Sequence, residues 1–385
     1  MTTYSDGQEG RMEKAWQWLA QSLTQEKYFG DYFEPLMQLL TPNWSSVYSR
    51  ARILTLRNET DDVFTLVIRP QAAWRKQGFV AGQHLELITE KAGVRNHRTF
   101  SISSSPDYLR KTGLIELTIK VQPEGRITPW LKNQFAGGGK VNISAPFGDF
   151  AMPGADAPVL MIAGGSGITP FRSMLAQAQA LTEAQPQAQP QAQPRHLMVY
   201  ARNAEHFLFR REFERMSKEL PGFSLTLMNS EEVGFMQAGH LQQLPLDITQ
   251  PSLQVLICGP TPMIQLARQR VSDAGVAESR IHFEYFGAAP IDQVAGAEGQ
   301  QHISCLRSDK QLTSAAEQPQ SLLDLAEQAG LSPVSGCRIG VCHQCICKKQ
   351  SGVVYNTKTG QTSDTGPQEI QLCVSVAVTD VALDL

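Results

Sequence analysis

Five of the seven cysteines lie between residues 337 and 373, and four of them, Cys337, Cys342, Cys345 and Cys347, fall within eleven residues. Thiols at that density can bridge, hold a metal or carry electrons. An odd total crowded into one segment disfavours a disulfide framework. A structural zinc site usually presents two close pairs, whereas here Cys342 and Cys345 form the single C-x2-C pair. Cys337, Cys342 and Cys345 together give C-x4-C-x2-C, and Cys373 follows after 27 intervening residues. Three thiolates from a wrapped loop with a fourth from elsewhere suit a two-iron, two-sulfur cluster. Gly336 and Gly340 let amide N–H groups approach the sulfurs, which is one means of setting a potential. Cys305 and Cys347 are singletons on expected strands and read as buried core thiols.

Two further stretches have chemical promise. VLMIAGGSGITPFRSML is an apolar strand, a turn containing Gly164, Gly165 and Gly167, and a helix opening at Thr169 and Pro170. Free N–H groups at such a helix start make a phosphate cradle. Pro170 stands where a dinucleotide fingerprint would carry its third Gly, which disfavours an ordinary dehydrogenase. Past the next strand, LMVYA, comes Arg202, with Arg210 and Arg211 further on. A ribose 2′-phosphate calls for Arg where a 2′-hydroxyl calls for an acid, so NADPH is expected over NADH.

The elements that must position these residues follow from periodicity. Residues 12–45 carry helical spacing, with Trp16, Leu19 and Leu23 and then Tyr32, Phe33, Leu36 and Leu40. From residue 52 six short alternating runs, ARILTL, VFTLVIRP, HLELIT, RTFSIS, IELTIKV and KVNISAP, suggest an antiparallel barrel. After Pro158 apolar runs alternate with helical stretches, the pattern of a parallel α/β domain. The Gln/Pro/Ala repeat between Ala184 and Arg195 reads as an exposed insertion, and the small, polar stretch from Gly287 as a linker. SLLDLAEQAG has a helix start at Ser321 and Asp324 and a stop at Gly330, so a short helix delivers the chain into the cysteine loop. The expected division is a helical extension over 1–47, a barrel over 48–154, an α/β domain over 155–287, a linker over 288–300 and a last domain over 301–385.

The net charge of -3 offers no basic footprint, so nucleic acid is not an expected partner. The start MTTYSDGQEG lacks the order of a signal peptide, and no run of about twenty apolar residues occurs. A cytoplasmic chain that does not itself span a membrane is expected.

The last eighty-odd residues resemble a plant-type ferredoxin domain, of β-grasp fold, down to the closing LCVSVAVTDVALDL. The Gly-rich turn and VLICGPTPMI resemble the pyridine-nucleotide half of the ferredoxin–NADP reductase superfamily, and RTFSISSSP resembles its R-x-Y-S flavin motif. The resemblance implies that Arg98 pairs with a flavin phosphate, Phe100 stacks on the isoalloxazine and Ser101 hydrogen-bonds near N5. Phe100 replaces the family's Tyr and so lacks its hydroxyl. GRITPWL resembles the second flavin segment, placing Gly125 and Thr128 at the pyrophosphate. Cys258, followed by Gly259 and Pro260, would lie beside the nicotinamide. In IHFEYFG, Glu284 would handle a proton beside Ser101 and Cys258, with Tyr285 or Phe286 covering the ring. The cofactors implied are FAD, with FMN as the alternative, a [2Fe-2S] cluster and NADPH. The implied activity is that of a reductase serving an oxygen-activating enzyme. DYFEPLMQLLTPNWSSVYSRARI looks most like a subset serving fatty-acid desaturases, which makes a membrane-bound partner possible; an FMN-type oxygenase reductase using NADH and a non-enzymatic electron carrier are the rival readings.

Overall fold

The computed structural model describes residues 48–91, 94–123, 125, 127–154, 157–184, 193–286, 299–315, 319–336, 338, 340 and 344–385. The expected N-terminal extension, nearly all of the Gln/Pro/Ala repeat and of the linker, and Cys337 and Cys342 lie outside the described residues.

The first unit is built from β1 (Ser49–Asn58), β2 (Val63–Pro70), β3 (His84–Lys91), β4 (Val94–Ser101), β5 (Ile115–Lys120) and β6 (Gly139–Ile143), in the order β4-β3-β6-β1-β2-β5. All pairings are antiparallel. The open edges are brought together just past β4, where Ile102 bridges Leu117 and Ser103 N donates to Glu116 O at 2.9 Å. Period-two alternation sends Phe64, Leu66 and Ile68 inward against Leu85, Leu87, Leu117 and Ile119. On the other face of the same strands Thr65 and Thr118 are directly paired, with their hydroxyls 2.9 Å apart. The six-stranded barrel expected from the sequence is therefore observed.

The second unit is a parallel sheet of β7 (Val159–Gly164), β8 (Arg195–Ala201), β9 (Phe223–Asn229), β10 (Gln254–Gly259) and β11 (Ile281–Tyr285), ordered β11-β10-β7-β8-β9. Helices cover both faces, so VLMIAG is buried along its whole length. Met161 and Ala163 pack with Phe171 on one side, and Leu160 and Ile162 with Ile264 on the other. The strand order reverses between β7 and β10, and ligands of such sheets bind at the carboxyl ends of the strands there.

The third unit contains β12 (Gln300–Cys305), β13 (Lys310–Ala315), β14 (Ile346–Ser351), β15 (Val354–Asn356), β16 (Gln361–Thr362), β17 (Gln368–Gln371), β18 (Ser375–Ala377) and β19 (Val381–Leu383). They form a mixed sheet, β13-β12-β19-β14-β17, and a small one, β16-β15-β18. The helix Leu322–Gln328 packs on them, and the Ser321 hydroxyl caps it by accepting from Asp324 N at 3.1 Å. Lys349 is wholly buried and its ammonium donates to three carbonyls, Gly352 O and Asp364 O at 2.8 Å and Gly366 O at 2.5 Å.

The barrel and the parallel sheet are locked together from the helix Thr169–Ala184. Arg172 Nη1 donates to Glu116 Oε2 on β5 at 2.6 Å, and Arg172 Nε to Glu212 Oε2 at 2.9 Å. Ser173 Oγ donates to Ser104 O at 2.7 Å, and the Gln177 side chain accepts from Asp107 N at 2.9 Å. Burial acts against the charge on Arg172, but Glu212 and Glu116 outweigh it and its pKa is raised. Arg172→Met leaves Glu212 without this cation and Glu116 with only Arg57 at 3.4 Å, and is expected to cost about 3 kcal/mol in urea unfolding of the two-domain unit; a loss below about 1 kcal/mol would show that the joint does not depend on it.

Candidate functional site

A cleft of about 240 Å³ opens where the barrel meets the carboxyl edge of the parallel sheet. Arg98, Phe100 and Ser101 reach it from β4, and Gly125 and Thr128 from the segment after β5. Ser166 and Thr169 enter from the glycine turn, and Glu284, Tyr285 and Phe286 from the end of β11. Residues spread from 98 to 286 thus share one wall. The physical reason is the joint described above, which presses the start of the helix Thr169–Ala184 against the end of β4.

Two cross-strand pairs define the floor. His84 stands directly opposite Ser101 on β3 and β4, and Cys258 directly opposite Glu284 on β10 and β11. The pairs meet across the domain boundary, with His84 Nδ1 3.0 Å from Glu284 Oε1. Cys258 is fully buried, and burial, with the charge of Glu284, pushes its thiol well up, so it is a neutral thiol at pH 7. The glycine turn passes so close to β10 that a Cβ on Gly167 would lie 2.2 Å from the Cys258 carbonyl oxygen. Gly164 and Gly165 belong to the same turn, and Gly259 and Pro260 continue β10 beside it. These residues shape the back of the site without lining the cleft.

Four buried polar atoms of cleft residues have no hydrogen-bond partner among the described residues: His84 Nε2, Thr99 Oγ1, Ser101 Oγ and Glu284 Oε2. Each such atom costs on the order of 1–3 kcal/mol if nothing meets it. They lie beside the apolar surfaces of Phe100, Ile119 and Phe286. A planar heteroaromatic ring with polar edges satisfies both features, so the cleft fits a flavin. The Thr128 hydroxyl accepts from Gln122 N at 2.9 Å and keeps its own proton to donate. Thr169 is more constrained, its hydroxyl being tied back to Ser166 O at 3.0 Å.

Arg202 is not in the cleft. It lies just past β8 with its side chain 59% exposed, Nη2 being 2.8 Å from His206 Nε2 and 3.4 Å from Asp62 Oδ2 of the barrel.

In the third unit the structure brings two of the expected metal ligands together. Cys345 and Cys373 are both buried, and Cys373 N points at Cys345 Sγ from 3.4 Å. An amide aimed at sulfur is the donor geometry that favours a thiolate. Cys305 and Cys347 lie in the core beneath; burial raises both thiols, Cys347 to about 11, which agrees with their reading as packing residues. Arg98, whose pKa burial lowers, also feels the charges of Arg338 in the cysteine loop and of Glu327 on the adjoining helix.

His84 was not among the residues expected from the sequence. Its signal is register: HLELIT places it opposite Ser101, but only once β3 and β4 are known to pair.

Residues 51–152 match the family of oxidoreductase FAD-binding domains, residues 161–269 that of oxidoreductase NAD-binding domains, and residues 307–378 that of 2Fe-2S iron-sulfur cluster binding domains. An "NADPH oxidoreductase" of Mycobacterium tuberculosis is 31% identical over 350 residues, 91% of this chain and 87% of that protein. A "glycine betaine monooxygenase reductase subunit" of Chromohalobacter salexigens is 27% identical over 92% of this chain and 99% of its own length. Among solved structures, a phthalate dioxygenase reductase shares the fold, with a TM-score of 0.56 at 21% identity, over 88% of this chain and 98% of that one. The chain therefore belongs to the ferredoxin–NADP reductase superfamily, among its members with a C-terminal plant-type [2Fe-2S] ferredoxin domain. It is an oxidoreductase whose cofactors are FAD, a pyridine nucleotide and a [2Fe-2S] cluster.

Because a Cβ at position 167 collides with backbone, Gly167→Ala is expected to displace the glycine turn and weaken pyridine-nucleotide binding about tenfold, or roughly 1.4 kcal/mol. Bound flavin should be retained. Equilibrium titration of the nucleotide, with the flavin absorbance as a control, checks both.

Proposed function

We propose that the chain draws electron pairs from NADPH and delivers them singly, through FAD and the [2Fe-2S] cluster, to an external oxygen-activating enzyme. The observation that carries the reading is the convergence, in one cleft, of aromatic surfaces and of polar atoms without a partner among the described residues, contributed by two domains. The flavin supplies the exchange between two-electron and one-electron chemistry. The chain's residues do the rest. Arg98, Gly125 and Thr128 hold its phosphates, and Phe100 and Phe286 cover its ring. Ser101 donates toward the ring edge, and Cys258 packs against the nicotinamide with Glu284 beside it as proton acceptor. Gly164, Gly165, Gly167 and Thr169 form the turn under the nucleotide's phosphates, with Gly259 and Pro260 at its side. Cys337, Cys342, Cys345 and Cys373 hold the cluster. The domain limits 48–154, 155–287 and 301–385, joined by 288–300, are supported by the matched families, each of which falls inside one of them.

Arg202 is the residue we assign to the 2′-phosphate. It stands where the second strand of the nucleotide domain ends, and the name of the mycobacterial relative supports NADPH. For the acceptor, relatives named as reductase components of betaine, steroid and toluate oxygenases support an oxygen-activating enzyme. Its narrowing to a fatty-acid desaturase rests on the stretch DYFEPLMQLLTPNWSSVYSRARI alone.

Purified protein should show flavin and iron–sulfur bands and contain iron with acid-labile sulfide, and NADPH added without oxygen should bleach it faster than NADH. Zinc in colourless protein would end the reading. Arg202→Ala should raise the Michaelis constant for NADPH about tenfold, as expected for one lost charge-assisted contact, and leave that for NADH unchanged. Reconstitution with a desaturase and with an oxygenase, compared by product formed per NADPH, decides the acceptor.

A further inference from the structure

The expected site residues leave one buried, clamped side chain unexplained. His84 touches Phe147 edge-on with ring centroids 4.3 Å apart, and its backbone exchanges hydrogen bonds with Phe147 at 2.9 and 3.0 Å. At Gly148, where φ is +104°, a Cβ would lie 2.5 Å from His84 Cε1, so the loop is shaped around the imidazole. Its Nδ1 reaches across the domain boundary to Glu284 Oε1. Its other nitrogen and the other carboxylate oxygen have no partner among the described residues, nor has the hydroxyl of Ser101 opposite.

Proton balance gives this arrangement a task, and the argument rests on the flavin and nucleotide reading above. A hydride brings one hydrogen nucleus and two electrons into the cleft. The cluster takes electrons one at a time and takes no hydrogen, so one proton per nicotinamide oxidised is left behind and must leave. We propose that His84 is the positioning residue for that exit. By donating Nδ1–H to Oε1 it fixes the orientation of the Glu284 carboxylate, so that Oε2 accepts the proton released on the Ser101 side. The carboxylate gains a proton, His84 keeps its own, and no bond other than O–H forms or breaks in the protein. A carboxylate without a donor in a dry site is disfavoured against its neutral form.

Other ionisable groups surround the pair. Cys258 and Tyr285 stand on β10 and β11, Asp149 lies beside Gly148, and Arg98 and Lys120 are on the cleft wall. Glu86 and His97, the next outward on β3 and β4, are occupied with each other at 3.4 Å. Among the described residues, the ion pair that Glu284 makes is with His84.

The test uses the holoprotein, three single variants and the double variant His84→Phe with Glu284→Gln. His84→Phe removes the donor, His84→Asn keeps an N–H near the Nδ1 position but cannot ionise, and Glu284→Gln removes the acceptor. Anaerobic single turnovers with NADPH are followed from pH 5 to 9, reading reoxidation of the flavin by the cluster. A base that must be ionised loses rate as pH falls. In His84→Phe that fall should begin about one pH unit higher than in wild type, the worth of one hydrogen bond to a charged group. It should return to the wild-type position in His84→Asn and be absent, at a rate at least tenfold lower, in Glu284→Gln. Thermal melting gives a readout independent of turnover: the double variant should lower the midpoint no further than His84→Phe alone, because without the His84 donor position 284 has no bond from it left to lose. If His84→Phe does not fold, His84→Asn and Glu284→Gln still decide, since a wild-type profile in both overturns the proposal. So does a rate loss in His84→Phe that is uniform across pH. Wild-type protein that NADPH fails to bleach overturns the underlying reading instead, a result seen before any variant is made.

Discussion

A single, largely enclosed guanidinium fixes the geometry on which the site depends. Arg172 grows from the first turn of the helix that follows the glycine turn, and it holds a carboxylate of the barrel and one of the α/β unit at once. Because Thr169 and Arg172 share that helix, the distance from the phosphate turn to the end of β4 is set by the same contact that joins the domains. A hinged pair of domains would leave four polar atoms of the cleft wandering relative to one another. The fork of an Arg side chain, which cannot lose its charge at physiological pH, resists that motion in both directions.

The cleft divides its labour between the two units by strand register. The barrel offers His84 and Ser101 side by side, and the parallel sheet offers Cys258 and Glu284 side by side. Each pair is ordinary sheet chemistry, and neither makes a site alone. What makes one is the 3.0 Å approach of His84 to Glu284 over a boundary between segments two hundred residues apart in the chain. Cys258, held neutral by burial, contributes bulk and shape there.

Much of this was legible in the residues. The change from period-two runs to buried apolar runs marks the passage from barrel to parallel sheet, because a strand with one wet face must alternate and a strand covered on both faces need not. The cysteine spacing gave Cys345 and Cys373 as neighbours despite 27 residues between them, and the two cysteines read as packing residues are in the core. What stayed hidden depends on register and on long-range contact. His84 has no local signature. Arg172 looks like any Arg near a helix start, and its two acids lie 56 positions before it and 40 after. The nineteenth strand of the described residues could not be given its neighbours from the run VALDL, since three residues fit any edge.

That strand carries a consequence for synthesis. β19 is late in sequence yet central in its sheet, lying between β12, to which it runs parallel, and β14. Parallel neighbours far apart in the chain form slowly, after the loop between them has closed. While the ribosome still holds residues 381–383, β12 and β14 have no common partner and the sulfurs of residues 345 and 373 rest on an unfinished floor. The barrel and the nucleotide sheet need nothing from beyond residue 285. The barrel and the nucleotide sheet can therefore complete before the third domain, whose sheet closes only when β19 enters between β12 and β14.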